Sequence, residues 1–209
     1  MSVRATFYFD VISPWSYLVD VMLRREPLPV DLQLRPVLFA GLLNHFGHKG
    51  PAEIERKRQF TYELATWTAQ QLDIPFRMPA AHPFNPIRYL RLILACGGTP
   101  RVVSAVFDVL YSDGADPESD ATWRAALARL GLEREPSDIA APHIKSALRE
   151  NTEAAATDGV FGVPTVVVDG RLFWGVDSLP MLRAFLRGDP RYDSEAMRAA
   201  RETRVGARR

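Results

Sequence analysis

The 209 residues contain a single cysteine, Cys96. No disulfide can close within the chain, and no pair of thiols can cycle between oxidised and reduced forms. No apolar run approaches the ~20 residues that span a bilayer. The opening segment MSVRATFYFD lacks the long apolar stretch and small-residue cleavage site of a secretion signal. Charge of one sign is also scarce. The formal net charge is +1, which gives no field to draw nucleic acid or an anionic membrane to the whole molecule. Only the C-terminal tail is locally basic, with Arg198, Arg201, Arg204, Arg208 and Arg209 against Glu195 and Glu202; it reads as a solvated helix end. The phosphate-cradling and nucleophile-elbow glycine motifs are missing. His45 and His48 lie three apart, but no cysteine or second motif completes a zinc site around them. These absences predict a cytoplasmic protein with no metal, nucleic acid or membrane partner.

What is present has a clear order. Residues 5–10 read as a buried strand. Ser13 and Pro14 then supply an N-cap hydroxyl and a proline at the first helical position, where its missing N–H costs nothing. The helix runs to about Arg25 and EPLP breaks it. Residues 30–38, VDLQLRPVL, alternate as a second strand. Strand, helix and strand at this spacing form a parallel unit with a right-handed crossover. From 39 to 157 the pattern is helical throughout. EIERKRQFTYELATWTAQQL places Phe60, Leu64 and Trp67 on one face. NPIRYLRLILACGG has Asn85 as N-cap, Pro86 at the first helical position, Cys96 buried mid-helix and a glycine stop. Three more helices follow. PTVVVDGRLFWG, residues 164–175, is a hairpin about an Asp169-Gly170 turn, and Asp177 caps a last helix closed by Gly188. The order is βαβ, a helical block, then ββα. It predicts an α/β, thioredoxin-like fold with a large all-helical domain inserted in the middle. Residues 1–38 and 158–209 would form the thioredoxin-like domain and 39–157 the insertion.

In such a fold the turn that opens the first helix carries a redox dithiol. Here that turn reads Ser13-Pro14-Trp15-Ser16. Ser13 needs no role beyond capping, yet a helix N-terminus also concentrates unpaired N–H groups and about half a positive charge. It stabilises a thiolate, and a hydroxyl adds one donor. With no cysteine at the turn, the sulfur would have to arrive on a ligand, and a thiol peptide such as glutathione suits the site. Val163-Pro164 precedes the hairpin. Local sequence leaves this bond cis or trans, whereas the thioredoxin-like order favours cis, with the Val163 backbone turned outward to pair with an extended peptide.

FYFDVISPWSYL, HPFNPIRYLRLILA and GVFGVPTVVVDGRLFWGVDSLPMLRAFL resemble the 2-hydroxychromene-2-carboxylate isomerase family. That family is related to kappa-class glutathione transferases and, more distantly, to DsbA-type oxidoreductases. The resemblance extends to about residue 187 and implies a glutathione-binding homodimer acting on an aromatic small molecule. It implies that Ser13 contacts the glutathione sulfur and that the Val163 backbone, beside cis Pro164, pairs with the cysteinyl part. Asp177 would bind the γ-glutamyl ammonium group, with Ser178 beside it. Lys57 and His48 match two further glutathione contacts, although His48 stands where kappa relatives have asparagine. His82 and Asn85 would line the cavity, and Trp15 and Trp174 would flank it. The implied activity is glutathione-dependent isomerisation of an unsaturated aromatic ketoacid. Glutathione transfer or reduction at the same site is one alternative. A non-catalytic peptide-binding module, which would need Val163-Pro164 but neither Ser13 nor Asp177, is another.

Overall fold

A computed structural model describes residues 3–206; Arg208 and Arg209 of the basic tail lie outside them. The chain starts with β1 (Arg4–Phe9), α1 (Pro14–Arg25) and β2 (Asp31–Pro36). β1 and β2 are parallel, in register from Arg4 opposite Asp31 to Phe9 opposite Pro36. After the helical block come β3 (Thr165–Val168) and β4 (Arg171–Trp174). β3 runs antiparallel to both β1 and β4, giving the order β2-β1-β3-β4. The β3–β4 hairpin closes through Asp169 at φ 49° and Gly170 at φ 69°. Two left-handed residues match the twist of the flanking strands.

The block between β2 and β3 consists of α2 (Phe39–Phe46), α3 (Glu55–Gln71), α4 (Ile87–Ala95), α5 (Pro100–Phe107), α6 (Asp120–Arg129) and α7 (Pro142–Thr157). It shares its core with the sheet. Phe7 and Phe9 on one face of β1 join Leu18 of α1, Leu90 and Ile93 of α4, Phe107 of α5 and Trp123 of α6 in one apolar cluster. Tyr8, pointing to the opposite face as strand alternation requires, belongs to a smaller cluster with Val37, Leu42, Ala155 and Val163. Its hydroxyl donates to Asp158 Oδ2 at 2.7 Å. Between α5 and α6 the helix widens into a five-residue π turn, Asp108–Ser112. A one-turn 3-10 helix, Val176–Ser178, leads into α8 (Leu179–Leu186), and α9 (Glu195–Arg201) follows. Among the described residues no helix is long and apolar enough to cross a membrane.

Four local expectations are corrected. α4 starts one residue later than expected, with Pro86 at the N-cap; the Asn85 side chain still accepts the Ile87 N–H at 3.1 Å. Asp177 does not cap α8 but sits inside the 3-10 turn, because Gly175 at φ 85° begins the turn two residues earlier. Cys96 lies at the C-cap of α4 and is half-buried. On α3 the apolar ridge points outward. Phe60, Leu64 and Trp67 are exposed, while Ala65 and Ala69 are buried. The small side chains let α3 approach its neighbours closely, so the periodic large residues are left on the outer face.

Candidate functional site

The sheet topology brings three segments to one end. Tyr8 lies opposite Thr165, and Thr165 opposite Trp174. The exit of β1, the entry of β3 and the exit of β4 are therefore neighbours. Those strand ends lead to the Ser13 turn, to Val163-Pro164 and to the Val176–Ser178 turn. Gly175 N–H donates to the Pro164 carbonyl at 2.9 Å, which ties two of the segments together.

Ser13 has the extended backbone of an N-cap, at φ −90° and ψ 115°, and its Oγ accepts the Ser16 N–H at 3.2 Å. Among the described residues its hydroxyl donates to no protein acceptor, so its proton is available to a ligand. Trp15, half-buried, packs against the main core. The hydroxyl of Ser16, in the position of a second dithiol cysteine, is fully buried and has no partner among the described residues. The Val163-Pro164 peptide is cis, as the fold order predicts, and His82-Pro83 is cis as well. Among the described residues neither the N–H nor the C=O of Val163 forms an internal hydrogen bond. Beside it, the exposed Trp174 meets Phe161 edge-on at 5.1 Å between ring centroids. The indole nitrogen lies where a side chain at Gly162 would begin, 2.8 Å from an ideal Cβ.

Asp177 is exposed and Ser178 buried, and the Ser178 hydroxyl donates back to the Gly175 carbonyl at 2.9 Å. The Asp177 carboxylate folds over Gly175, within 2.5 Å of where a Cβ would stand there. No ion pair among the described residues involves Asp177 or Lys57. Lys57 lies exposed in the first turns of α3, and His48 is exposed just beyond α2. Asn85 lines a separate groove of about 420 Å³ with Arg88, Arg91 and Glu135. The structure thus gathers Ser13, Trp15, Val163, Pro164, Trp174, Asp177 and Ser178 at one sheet end, while Asn85 faces elsewhere.

Asp10, Tyr62 and Tyr111, which the sequence did not single out, hold the turn from behind together with His82. Asp10, fully buried, accepts the Ile12 N–H at 3.0 Å and the Phe39 N–H at 2.8 Å. This joins the Ser13 turn to the start of α2. Burial pushes the Asp10 carboxyl up to about 7 against the pull of its backbone donors. The Tyr111 hydroxyl, brought inward by the π turn, reaches the carbonyls of Ile12 at 2.7 Å and Val11 at 3.0 Å. His82 is turned inward too. Its Nε2 lies 2.6 Å from the Ile12 carbonyl, and its Nδ1 lies 2.6 Å from the Tyr62 hydroxyl. Burial lowers the His82 pKa. Asp10 had a sequence signal, a carboxylate ending an otherwise apolar strand. Tyr62 and Tyr111 had none, since an aromatic on a helix ordinarily reads as core.

Comparison with known proteins places this geometry. Over 205 residues the chain is 29% identical to glutathione S-transferase kappa 1 of Rattus norvegicus, covering 87% of this chain and 89% of that protein. Over 192 residues it is 28% identical to 2-hydroxychromene-2-carboxylate isomerase of Pseudomonas sp. strain C18, covering 88% and 90%. The solved structure of a selenomethionine 2-hydroxychromene-2-carboxylate isomerase superposes with a TM-score of 0.77 at 22% identity, covering 92% of this chain and 98% of that one; it shares the fold. The model of the DSBA-like thioredoxin domain matches residues 5–187. With a serine-based turn where that fold places a dithiol, the chain belongs to the DSBA-like thioredoxin domain family.

Proposed function

We propose that this protein is a glutathione-dependent isomerase of the 2-hydroxychromene-2-carboxylate type, acting on an unsaturated aromatic ketoacid. The observation that carries the reading is the Ser13 turn: a helix N-terminus with an uncommitted hydroxyl and no protein sulfur beside it. Relatives of similar length with isomerase and glutathione transferase names support it. The residues suit the tripeptide. The N-terminus of α1 and the Ser13 hydroxyl favour an anionic sulfur. The unpaired backbone of Val163 offers one donor and one acceptor to an extended chain. Asp177, unpaired and exposed, would take the γ-glutamyl ammonium group. Lys57 would take a carboxylate, of either glutathione or the substrate, and His48, nine residues earlier in the chain, stands in place of the relatives' asparagine. When bound, glutathione supplies a nucleophile that adds reversibly to an electron-poor carbon, so that a double bond can rotate. Trp15 and Trp174 would flank the aromatic substrate; His82, with both ring nitrogens engaged behind the turn, and Asn85, in its separate groove, are not part of this proposed pocket. We further propose a cytoplasmic homodimer, for which the exposed ridge of Phe60, Leu64 and Trp67 offers an apolar surface.

Calorimetry with glutathione, followed by an assay on 2-hydroxychromene-2-carboxylate, tests the reading. Affinity between ~1 mM and 1 μM and equilibration of the substrate with its ring-opened trans form are expected. Glutathione binding without isomerisation, but with conjugation of an electrophile, would favour the kappa-type transferase reading instead. No binding by folded protein would sink both.

A further inference from the structure

The carbonyl of Ile12 belongs to the peptide that enters Ser13, and it receives two side-chain donors. One is the Tyr111 hydroxyl at 2.7 Å and the other is His82 Nε2 at 2.6 Å. A carbonyl oxygen only accepts, so Nε2 must carry a proton. In the neutral ring Nδ1 is then a lone pair, and the Tyr62 hydroxyl gives its one proton to this nitrogen at 2.6 Å in preference to the His82 carbonyl at 2.9 Å. Tyr62 thereby fixes the tautomer that lets His82 hold Ile12. The ring is wedged edge-on between Tyr62 at 5.0 Å and Phe84 at 5.9 Å between centroids, so its direction is set by packing as well.

We propose that His82 is a positioning residue for the thiolate site, acting through the Ile12 carbonyl, with Tyr62 as the group that fixes its tautomer. Without these donors the peptide preceding the helix would be held only through its N–H, which Ser13 donates to the Asp10 carbonyl at 3.0 Å, and its carbonyl could tilt its negative end toward an anion at the turn. Two donors hold that dipole aside from the Trp15 N–H, the one N–H of the first turn of α1 with no internal partner among the described residues, so little reorganisation is needed when charge arrives. The charged and titratable groups around the clamp are Asp10, Tyr62 and Tyr111, with Arg58 acting on Tyr62 from the same helix. The proposal rests on the reading that the turn holds an anionic sulfur, but its test does not need glutathione.

A reporter thiol reads the turn directly. In full-length protein carrying Cys96→Ser, Ser13→Cys places one thiol at the helix N-terminus. Its pKa is measured by ultraviolet titration and by the pH dependence of alkylation. Adding His82→Leu should raise that pKa by about one unit, a tenfold loss of thiolate relative to thiol. His82→Gln, whose amide NH₂ can still reach Ile12, should restore most of it. An unchanged pKa in folded His82→Leu protein overturns the proposal, as does equal behaviour of the Leu and Gln variants. If His82→Leu does not fold, long-range ¹H–¹⁵N spectra of the wild-type protein decide. His82 must show the Nε2–H tautomer, and an Nδ1–H tautomer overturns the clamp. If glutathione fails to bind while the reporter responds as expected, the clamp stands and the ligand reading alone is lost.

Discussion

Replacing Ser13 separates two jobs that one hydroxyl performs. Its oxygen accepts the Ser16 N–H, and under the glutathione reading its proton is given to the bound sulfur. Ser13→Ala removes both. Loss of the cap costs about 1 kcal/mol, which lowers the melting temperature of a chain this size by roughly 2–4 °C. Ser13→Gly costs only a few tenths of a kcal/mol as a cap yet lacks the same proton donor. The ligand term should be identical in the two variants. A hydrogen bond to a charged group is worth about 1.5–3 kcal/mol, or one to two pKa units of the bound thiol. Ser13 is only 7% exposed, and poor solvent screening favours the upper half of that range. Turnover should fall about ten- to a hundredfold. The assay is ultraviolet titration of the thiolate in the glutathione complex, beside thermal melts. Alanine and glycine variants that melt differently but titrate alike, both above wild type, fit the reasoning. Wild type and both variants titrating at one pH would refute it and leave Ser13 as a helix cap.

Gly175→Ala places a side chain at φ 85° and ψ 164°, a region essentially reserved for glycine, with Cβ 2.5 Å from Asp177 Oδ1. A stability loss of about 1–3 kcal/mol and weaker glutathione binding are expected by denaturation and calorimetry, and a silent variant would contradict the geometry. Ser16→Ala deletes a buried hydroxyl that lacks a partner; stability should hold or rise by up to about 1 kcal/mol, and a clear loss would reveal a hydrogen bond to this hydroxyl. Burial raises Asp20 to about 6, outweighing Arg24, whose Nε lies 3.0 Å from Oδ2. A raised folded pKa favours the native state fully below the unfolded value near 4, and that contribution is lost as pH rises through about 6. Denaturation midpoints of Asp20→Asn should therefore fall less than those of wild type between pH 4 and 7; parallel curves would show that Asp20 does not titrate in this window.

The order of strands and helices was legible because its signals are local. The Ser13-Pro14 pair starts α1, and Asp169-Gly170 turns the hairpin. Each such feature needs only its neighbours in sequence. The exposure of Phe60, Leu64 and Trp67 was not legible, since periodicity gives a face but not what the face meets. Asp177 was misread as a cap because the 3-10 turn depends on Gly175 adopting a positive φ. Ser13 and Val163-Pro164 were visible as candidates because each sits at an element boundary. Tyr62 and Tyr111 were not, because their hydroxyls find partners in segments remote in sequence. A π turn, which helical periodicity does not predict, presents Tyr111.

The clamp behind Ser13 also limits what can be moved between proteins. Its donors to Ile12 lie 70 and 99 positions along the chain. A graft of Ser-Pro-Trp-Ser onto another helix would carry the cap and the dipole, but the entering carbonyl would lack both donors and be restrained only by a local bond such as that from the Ser13 N–H to the Asp10 carbonyl. A peptide spanning only β1 and α1 would share that fault. A string search for this tetrapeptide therefore retrieves helix starts in general. What distinguishes this turn is written in three separated stretches, and a search or design aimed at it has to specify all three.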